Sequence, residues 1–195
     1  MIKLFSKILK KEPEQKEVID HALRLLNIPL PYFKEFDVLV NAGKVYGLPE
    51  YSEEKIRELE VSSFWPLTFI AGMYNEETHE MSIAKRMVAD PEDPNHKLVK
   101  LSPGEQLFVV LHELRHIWQK ENGMYAEYRG QYRETPHAVN PAEIDADAFA
   151  IALMLHHGAS QYDFPTLYPS FDNDQGKRKQ RIAELSQEYN LNLSF

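Results

Sequence analysis

The chain of 195 residues contains no cysteine. This absence excludes disulfide scaffolds, cysteine nucleophiles, iron–sulfur clusters and zinc fingers with cysteine ligands. Any metal site must therefore use imidazoles and carboxylates, which the chain supplies as 8 His and 30 Asp and Glu residues.

Positive charge and long apolar runs are also scarce. The 22 Lys and Arg residues leave a formal net charge of −8, which repels phosphate backbones and argues against a nucleic-acid partner. No apolar run approaches the roughly 20 residues of a membrane-spanning helix. Residues 1–11 form a short basic amphipathic stretch without the apolar segment of a secretory signal. We therefore expect no integral membrane span and a cytoplasmic location.

The composition is otherwise that of a globular protein, with 43% hydrophobic and 27% charged residues. The length predicts a single domain over residues 1–195. Its predicted parts are a helical N-terminal part over 1–62, a core over 67–157, and a C-terminal loop and helix over 158–195. Alternating apolar residues predict a β-hairpin over Leu67–Arg86. The order of elements favours a mostly helical α+β fold with a small antiparallel sheet.

Two helices of the core have clear ends. Ser102, Pro103 and Glu105 form a capping-box pattern at the start of a helix that continues to Lys120. A second helix is predicted from Asn140 to about residue 157. A connection rich in tyrosine joins the two helices.

The first helix contains the motif His112-Glu113-Leu114-Arg115-His116, an HExxH pattern. Residues four apart share one helix face, so both imidazoles can reach one Zn²⁺ at about 2.0–2.1 Å. Glu113 lies about 100° around the helix from His112, where it can act as a general base without being a ligand. Composition alone predicts about 0.03 such matches in a chain with 8 His among 195 residues. The alternative is a pair of ordinary histidines on an amphipathic helix.

A third ligand is expected from the second helix. Glu143 and Asp147 lie on one face there, and Asp145 points away from both. Glu143 has an alternative role as the capping-box partner of Asn140. Asp147 is harder to explain without a site, because a carboxylate in an otherwise apolar helix is costly without a partner. The alanines of this helix would allow a close approach to the histidine helix.

Together the two motifs resemble those of zincin metallopeptidases of the gluzincin type, in which a Glu-x-x-x-Asp pattern follows HExxH. The second motif is also similar to that of small bacterial and phage metallopeptidases, including the ImmA/IrrE-like group. The resemblance covers residues 67–157 and implies a zincin-like fold with one Zn²⁺ per chain. It implies metal ligation by His112, His116 and Glu143, and a hydrogen bond from a ligand histidine to Asp147.

The resemblance also implies the reaction, which is hydrolysis of a peptide bond in a peptide or protein substrate. Glu113 would activate the zinc-bound water. In zincins an edge strand beside the active-site helix binds extended substrate, and the hairpin over Leu67–Arg86 is the candidate here. The alternative is a purely structural hairpin.

Other candidate residues are less specific. Gluzincins commonly stabilise the oxyanion with a Tyr or His outside both motifs, and the sequence does not choose among Tyr132, His137 and His157. A basic run near the C-terminus, Lys177 to Arg181, is interpreted as a solvated face. Three further histidines suggest no site: His21, His79 and His96.

Two other classes of protein remain as alternatives. One is a zinc-stabilised regulatory or interaction module without proteolytic activity, against which the presence of Glu113 argues, because a structural site needs no base. The other is a helical binding protein without metal, which metal analysis of untagged protein would distinguish. The sequence does not predict the oligomeric state.

Overall fold

A computed structural model of the chain describes residues 13–41, 45–50, 52–62, 68–88, 97–126, 139–159 and 176–193. These residues form five helices and eight short strands, so the predicted α+β class is confirmed. The helices are α1 Pro13–Leu26, α2 Glu53–Ser62, α3 Pro103–Glu121, α4 Pro141–His156 and α5 Lys177–Glu188. The strands are β1 Tyr32–Phe36, β2 Val38–Asn41, β3 Val45–Leu48, β4 Thr68–Ile70, β5 Gly72–Asn75, β6 Glu80–Ala84, β7 Arg86–Val88 and β8 Leu98–Lys100. None of the helices in the described ranges is both long and apolar enough to cross a membrane.

The strands form three small sheets. In the sheet nearest α3 the order is β1-β6-β5, with β1 parallel and β5 antiparallel to β6. The β5–β6 hairpin confirms part of the hairpin predicted over Leu67–Arg86, but β4 pairs with β2 instead. The other sheets, β3-β2-β4 and β7-β8, are antiparallel. The parallel pair is a departure from the all-antiparallel sheet that the sequence predicted.

The N-terminal part differs from the helical region predicted over residues 1–62. Two helices are present, but β1, β2 and β3 lie between them, so the prediction is wrong for that segment. In β2 the consecutive residues Val38, Leu39 and Val40 are all buried. A short apolar run that is buried on both faces lacks the alternation by which a strand is recognised. Residues 1–12 lie outside the described residues.

Helix α4 is the centre of the largest hydrophobic core. Every residue from Ala142 to Met154 is buried, and α1, α3 and α5 pack against this helix. Four of its alanines are fully buried, at positions 146, 148, 150 and 152. Helix α3 packs against α4, and this packing brings the two sequence motifs together.

The N-termini of both motif helices are fixed by caps. The Ser102 hydroxyl accepts a hydrogen bond from the Glu105 amide at 3.1 Å, and the Glu105 carboxylate accepts one from the Ser102 amide at 2.7 Å. This capping box confirms the prediction for α3. At α4 the Asn140 side chain accepts a hydrogen bond from the Ala142 amide at 2.9 Å.

Strand β5 lies against α3 with almost no space between them. A Cβ atom on Gly72 would lie 2.4 Å from Cγ1 of Val109, so only glycine permits this approach. The strand pairs with β6 on one side, and no other described strand pairs with its second edge. Within the described residues, β5 is therefore an edge strand that lies beside the helix carrying the HExxH motif.

Candidate metal centre

Three predicted ligand atoms converge between α3 and α4. The Nε2 atoms of His112 and His116 are 2.9 Å apart, and Oε2 of Glu143 lies 3.3 Å from each of them. A tetrahedral zinc ion with bonds of 2.0–2.1 Å separates its ligand atoms by about 3.3 Å. The triangle formed by these three atoms therefore has the size that one zinc ion requires.

The three side chains differ in their access to solvent. The exposed fraction is 5% for the Glu143 side chain, 12% for His112 and 25% for His116. A carboxylate as buried as that of Glu143 is costly without a cationic or hydrogen-bonding partner. The triangle is thus closed on the side of α4 and open on the side of His116, where a water molecule or substrate could approach.

Each imidazole is oriented by a partner at its other nitrogen. Nδ1 of His112 lies 2.8 Å from Oδ1 of Asp147, and Nδ1 of His116 lies 2.8 Å from Oε1 of Gln119. Both partner atoms are acceptors, so each Nδ1 carries a proton, and each Nε2 would present its lone pair to a metal ion that replaces any proton there. The Gln119 amide nitrogen donates to the Ala142 carbonyl at 2.9 Å, which fixes the orientation of the amide.

A buried set of arginines and carboxylates supports these partners. Arg178 donates to Oδ2 of Asp147 at 2.8 Å. The neighbouring Asp145 accepts hydrogen bonds from Arg115 at 2.7 and 3.2 Å and from Arg181 at 2.7 Å. It also accepts one from Gln119 at 2.8 Å. Helix α5 therefore stabilises the acidic side chains of α4 and, through them, both histidines.

The interpretation of the basic run as a solvated face is wrong for two of its residues. Arg178 is buried, and the Arg181 side chain is only 23% exposed, because both turn towards the carboxylates of α4. Charged side chains are rarely buried unless they are paired. The sequence contained a signal for this arrangement, since Asp145 and Asp147 in an apolar helix both required cationic or hydrogen-bonding partners.

The carboxylates around the candidate metal centre favour a positive charge between the three converging atoms. Burial lowers the pKa of His112, but the hydrogen bonds and negative charges of Asp147 and Glu143 outweigh burial and raise that pKa well above its usual range. Burial raises the pKa of Asp145, yet its contacts with Arg115, Gln119 and Arg181 leave that pKa below its usual value. The carboxylates of α4 are thus arranged for a cation, which a divalent metal ion would supply.

Glu113 follows His112 in the helix but does not belong to the group of converging residues. Its side chain faces β5, where Oε1 is 3.4 Å from the position that a Cβ atom on Gly72 would take. The carboxylate therefore lies between the histidine helix and β5 at Gly72.

The remaining predicted site residues do not join this group. Tyr132 and His137 lie outside the described residues. His157 follows the last residue of α4, and 14 residues of helix at 1.5 Å per residue place it about 21 Å from Glu143. His157 is therefore too far away to stabilise an oxyanion at the same centre. Sequence reasoning also missed Gln119 as a partner of His116.

A comparison with protein families identifies the chain's relatives. A family model described as "Putative metallopeptidase family (DUF6782)" matches residues 72–177, which is more than half of the chain. The protein belongs to this family. The match begins at β5 and includes α3 and α4, the elements that surround the candidate metal centre. No curated protein and no solved structure matches the chain significantly.

The support of the centre by Asp145 can be tested by its removal. Asp145→Ala should lower the free energy of unfolding by about 3–5 kcal/mol, because the fully buried Arg115 loses its carboxylate partner. Urea denaturation of metal-free protein measures this change. Glu184→Ala is the matched control, since Glu184 is an exposed partner of Arg181, and we expect little change. Equally small effects of the two substitutions would contradict this role.

Proposed function

We propose that the protein is a zinc-dependent peptidase of the gluzincin type with a zincin-like fold. His112, His116 and Glu143 hold one Zn²⁺ per chain. The observation that carries the proposal is the triangle of two Nε2 atoms and one carboxylate oxygen, with sides of 2.9, 3.3 and 3.3 Å. Membership of a metallopeptidase family supports the same reading.

The donor set suits zinc in particular. Two imidazoles and one carboxylate match the three protein ligands of many catalytic zinc sites, whereas Mg²⁺ and Ca²⁺ prefer shells of oxygen atoms. Asp147 and Gln119 hold the two rings by their Nδ1 atoms, which keeps both Nε2 lone pairs directed at the same point.

Peptide hydrolysis at this centre depends on Glu113 for proton transfer. Bound Zn²⁺ supplies the Lewis acidity that activates water for attack and polarises the scissile carbonyl. Glu113 accepts the proton that the attacking water loses, and then donates it to the leaving amine nitrogen. Its place beside the triangle, outside the group of ligands, leaves the carboxylate available for both steps.

The unpaired edge of β5 is the proposed binding site for the substrate. An extended peptide that adds to this edge would form backbone hydrogen bonds with β5. Because Gly72 brings the strand against α3 beside Glu113, such a peptide would pass next to the catalytic carboxylate. Recognition through the backbone predicts a tolerant preference for side chains. Tyr132 and His137 remain proposed oxyanion donors.

Glu113→Gln tests the proton transfer. The amide keeps the size of the side chain but cannot accept a proton, so zinc should stay bound while peptide cleavage falls at least about 10²-fold. Zinc per chain is measured by atomic emission, and cleavage is measured with a library of fluorogenic peptides. Glu121→Gln, at an exposed glutamate of the same helix, is the control and should leave both values unchanged.

Two outcomes would contradict this assignment. Loss of zinc in Glu113→Gln would make Glu113 a ligand. A wild-type protein that binds zinc but cleaves no peptide in the library would favour the interaction module over the peptidase.

Two substitutions, Glu143→Ala and Asp147→Asn, test whether Glu143 is the metal ligand and Asp147 the residue that orients a ligand histidine. Glu143→Ala should lose the zinc equivalent bound between α3 and α4, because it removes the carboxylate oxygen of the triangle. Asp147→Asn should weaken zinc affinity or activity by about 10- to 100-fold with the metal still bound, as expected for a partner of a ligand histidine. Both variants are measured by competition with a chromophoric chelator. Retention of the zinc equivalent between α3 and α4 in the first variant and its loss in the second would exchange the two roles.

A further inference from the structure

A second group of histidines lies at the far end of α4. His21 of α1 meets His156 and His157, with Nδ1 of His21 3.0 Å from Nε2 of His157. The three ring centroids are 5.1–5.4 Å apart, and one ring nitrogen from each residue lies within 4.8 Å of the other two. This group is about 21 Å along α4 from Glu143, so it is separate from the candidate metal centre. We call it the histidine cluster.

The packing of two helices brings these residues together. His21 and His157 are 136 positions apart in the sequence, and the packing of α1 against α4 joins them. His21 and His156 are partly buried, and His157 is exposed. The cluster is thus held by the fold on one side and is open to water on the other.

Two of the three imidazoles, His21 and His157, have pKa values below the usual value of histidine. Burial lowers the pKa of His21 and His157, and the neighbouring histidines lower it further. Two other charged groups act on both rings: Arg24 also lowers the two pKa values, and Glu17 raises them. The rings therefore favour the neutral form, which is the form that binds metals. The C-terminal end of α4, where the helix dipole is negative, also favours a cation.

The third ring is held by the segment that follows α5. Nδ1 of His156 lies 2.9 Å from the backbone nitrogen of Asn192 and 3.3 Å from its carbonyl oxygen. The amide donates to Nδ1, so in the metal-free ring Nε2 carries the proton. A metal ion bound at Nε2 would move that proton to Nδ1, which would then donate to the carbonyl oxygen instead of accepting from the amide. A hydrogen bond from imidazole to a backbone carbonyl is a common support for metal-binding histidines.

We propose that His21, His156 and His157 form a second metal site, which binds Zn²⁺ or a similar divalent ion such as Ni²⁺ or Cu²⁺. Imidazole is a preferred ligand of these ions, whereas Mg²⁺ prefers oxygen. The distance of 3.0 Å between the ring nitrogens of His21 and His157 is close to the ligand spacing of about 3.3 Å around tetrahedral zinc. The ligand atoms of all three residues lie within 4.8 Å of one another, so a small movement of the His156 ring towards the other two would complete the site, and solvent would supply the fourth ligand. A bound ion would link α1 to α4.

Zinc stoichiometry tests this site without any measurement of activity. Zn²⁺ alone is titrated into untagged, metal-stripped protein, and the equivalents bound are measured by calorimetry. His21→Gln should bind one equivalent fewer than the wild type. His79→Asn is the control, because this exposed histidine lies in a turn with φ of 52°, which asparagine tolerates, and it should bind as many equivalents as the wild type.

A second variant, His157→Gln, tests the site even if His21→Gln fails to fold. The residue is exposed, so this substitution should leave the circular dichroism of the metal-free protein unchanged and still remove one equivalent. Equal stoichiometry in the wild type, His21→Gln and His157→Gln would overturn the proposal.

A further variant distinguishes this site from the HExxH centre. His116→Gln should remove a different equivalent, so the double variant His21→Gln/His116→Gln should lose two. If the proposed peptidase centre binds no zinc, His116→Gln will change nothing, but His21→Gln will still remove one equivalent. The two proposals therefore fail independently.

Discussion

Two imidazoles can share one metal ion only if both rings are held with their Nε2 atoms turned towards the same point. In this protein the hydrogen bonds from His112 to Asp147 and from His116 to Gln119 impose that orientation. Both partners depend on the close packing of α3 against α4. Asp147 lies on α4, and Gln119 is held by the carbonyl of Ala142 at the start of that helix. The two hydrogen bonds thus link the geometry of the proposed zinc site to the packing of the core.

Buried hydrogen bonds and ion pairs connect α3, α4 and α5 in one polar network, which is unusual in the interior of a small protein. Arg115 is fully buried, yet it donates to Asp145 and to the Tyr189 hydroxyl, and its guanidinium stacks on Trp118 at 3.9 Å from the ring centroid. Burial of such an ion pair stabilises a fold little, if at all, compared with apolar residues, but removal of one partner is strongly destabilising. The function of the network is better explained as positioning. It holds α5 against α4, keeps Asp147 directed at His112, and fixes Gln119, the partner of His116, through Asp145.

The sequence predicted those parts of the site whose geometry follows from a single helix. The spacing of His112 and His116, the capping box at Ser102, and the shared face of Glu143 and Asp147 all depend on local periodicity. The approach of the two helices was inferred only from the alanines of α4. The resulting triangle of candidate ligand atoms could be suggested from the sequence, but its dimensions could not.

The features that the sequence did not reveal all depend on contacts between distant segments. Val38 to Val40 lacked the alternation of a strand, so the partners of β2 had to be known before the strand could be recognised. Arg178 belonged to an apparently solvated basic run until its pairing with Asp147, 31 positions away, was seen. His21 suggested no site because its partner His157 is 136 positions away. Local patterns carry no information about such pairs.

Zinc-edge anomalous diffraction from crystals of the untagged protein tests the central claim most directly. The account predicts an anomalous peak between α3 and α4, bonded to Nε2 of His112, Nε2 of His116 and a carboxylate oxygen of Glu143. The expected bond lengths are about 2.0–2.2 Å, and Glu113 should not be bonded to the metal. A peak bonded to Glu113 or Asp147 in place of Glu143, or no peak between these helices in crystals grown with zinc, would contradict the account.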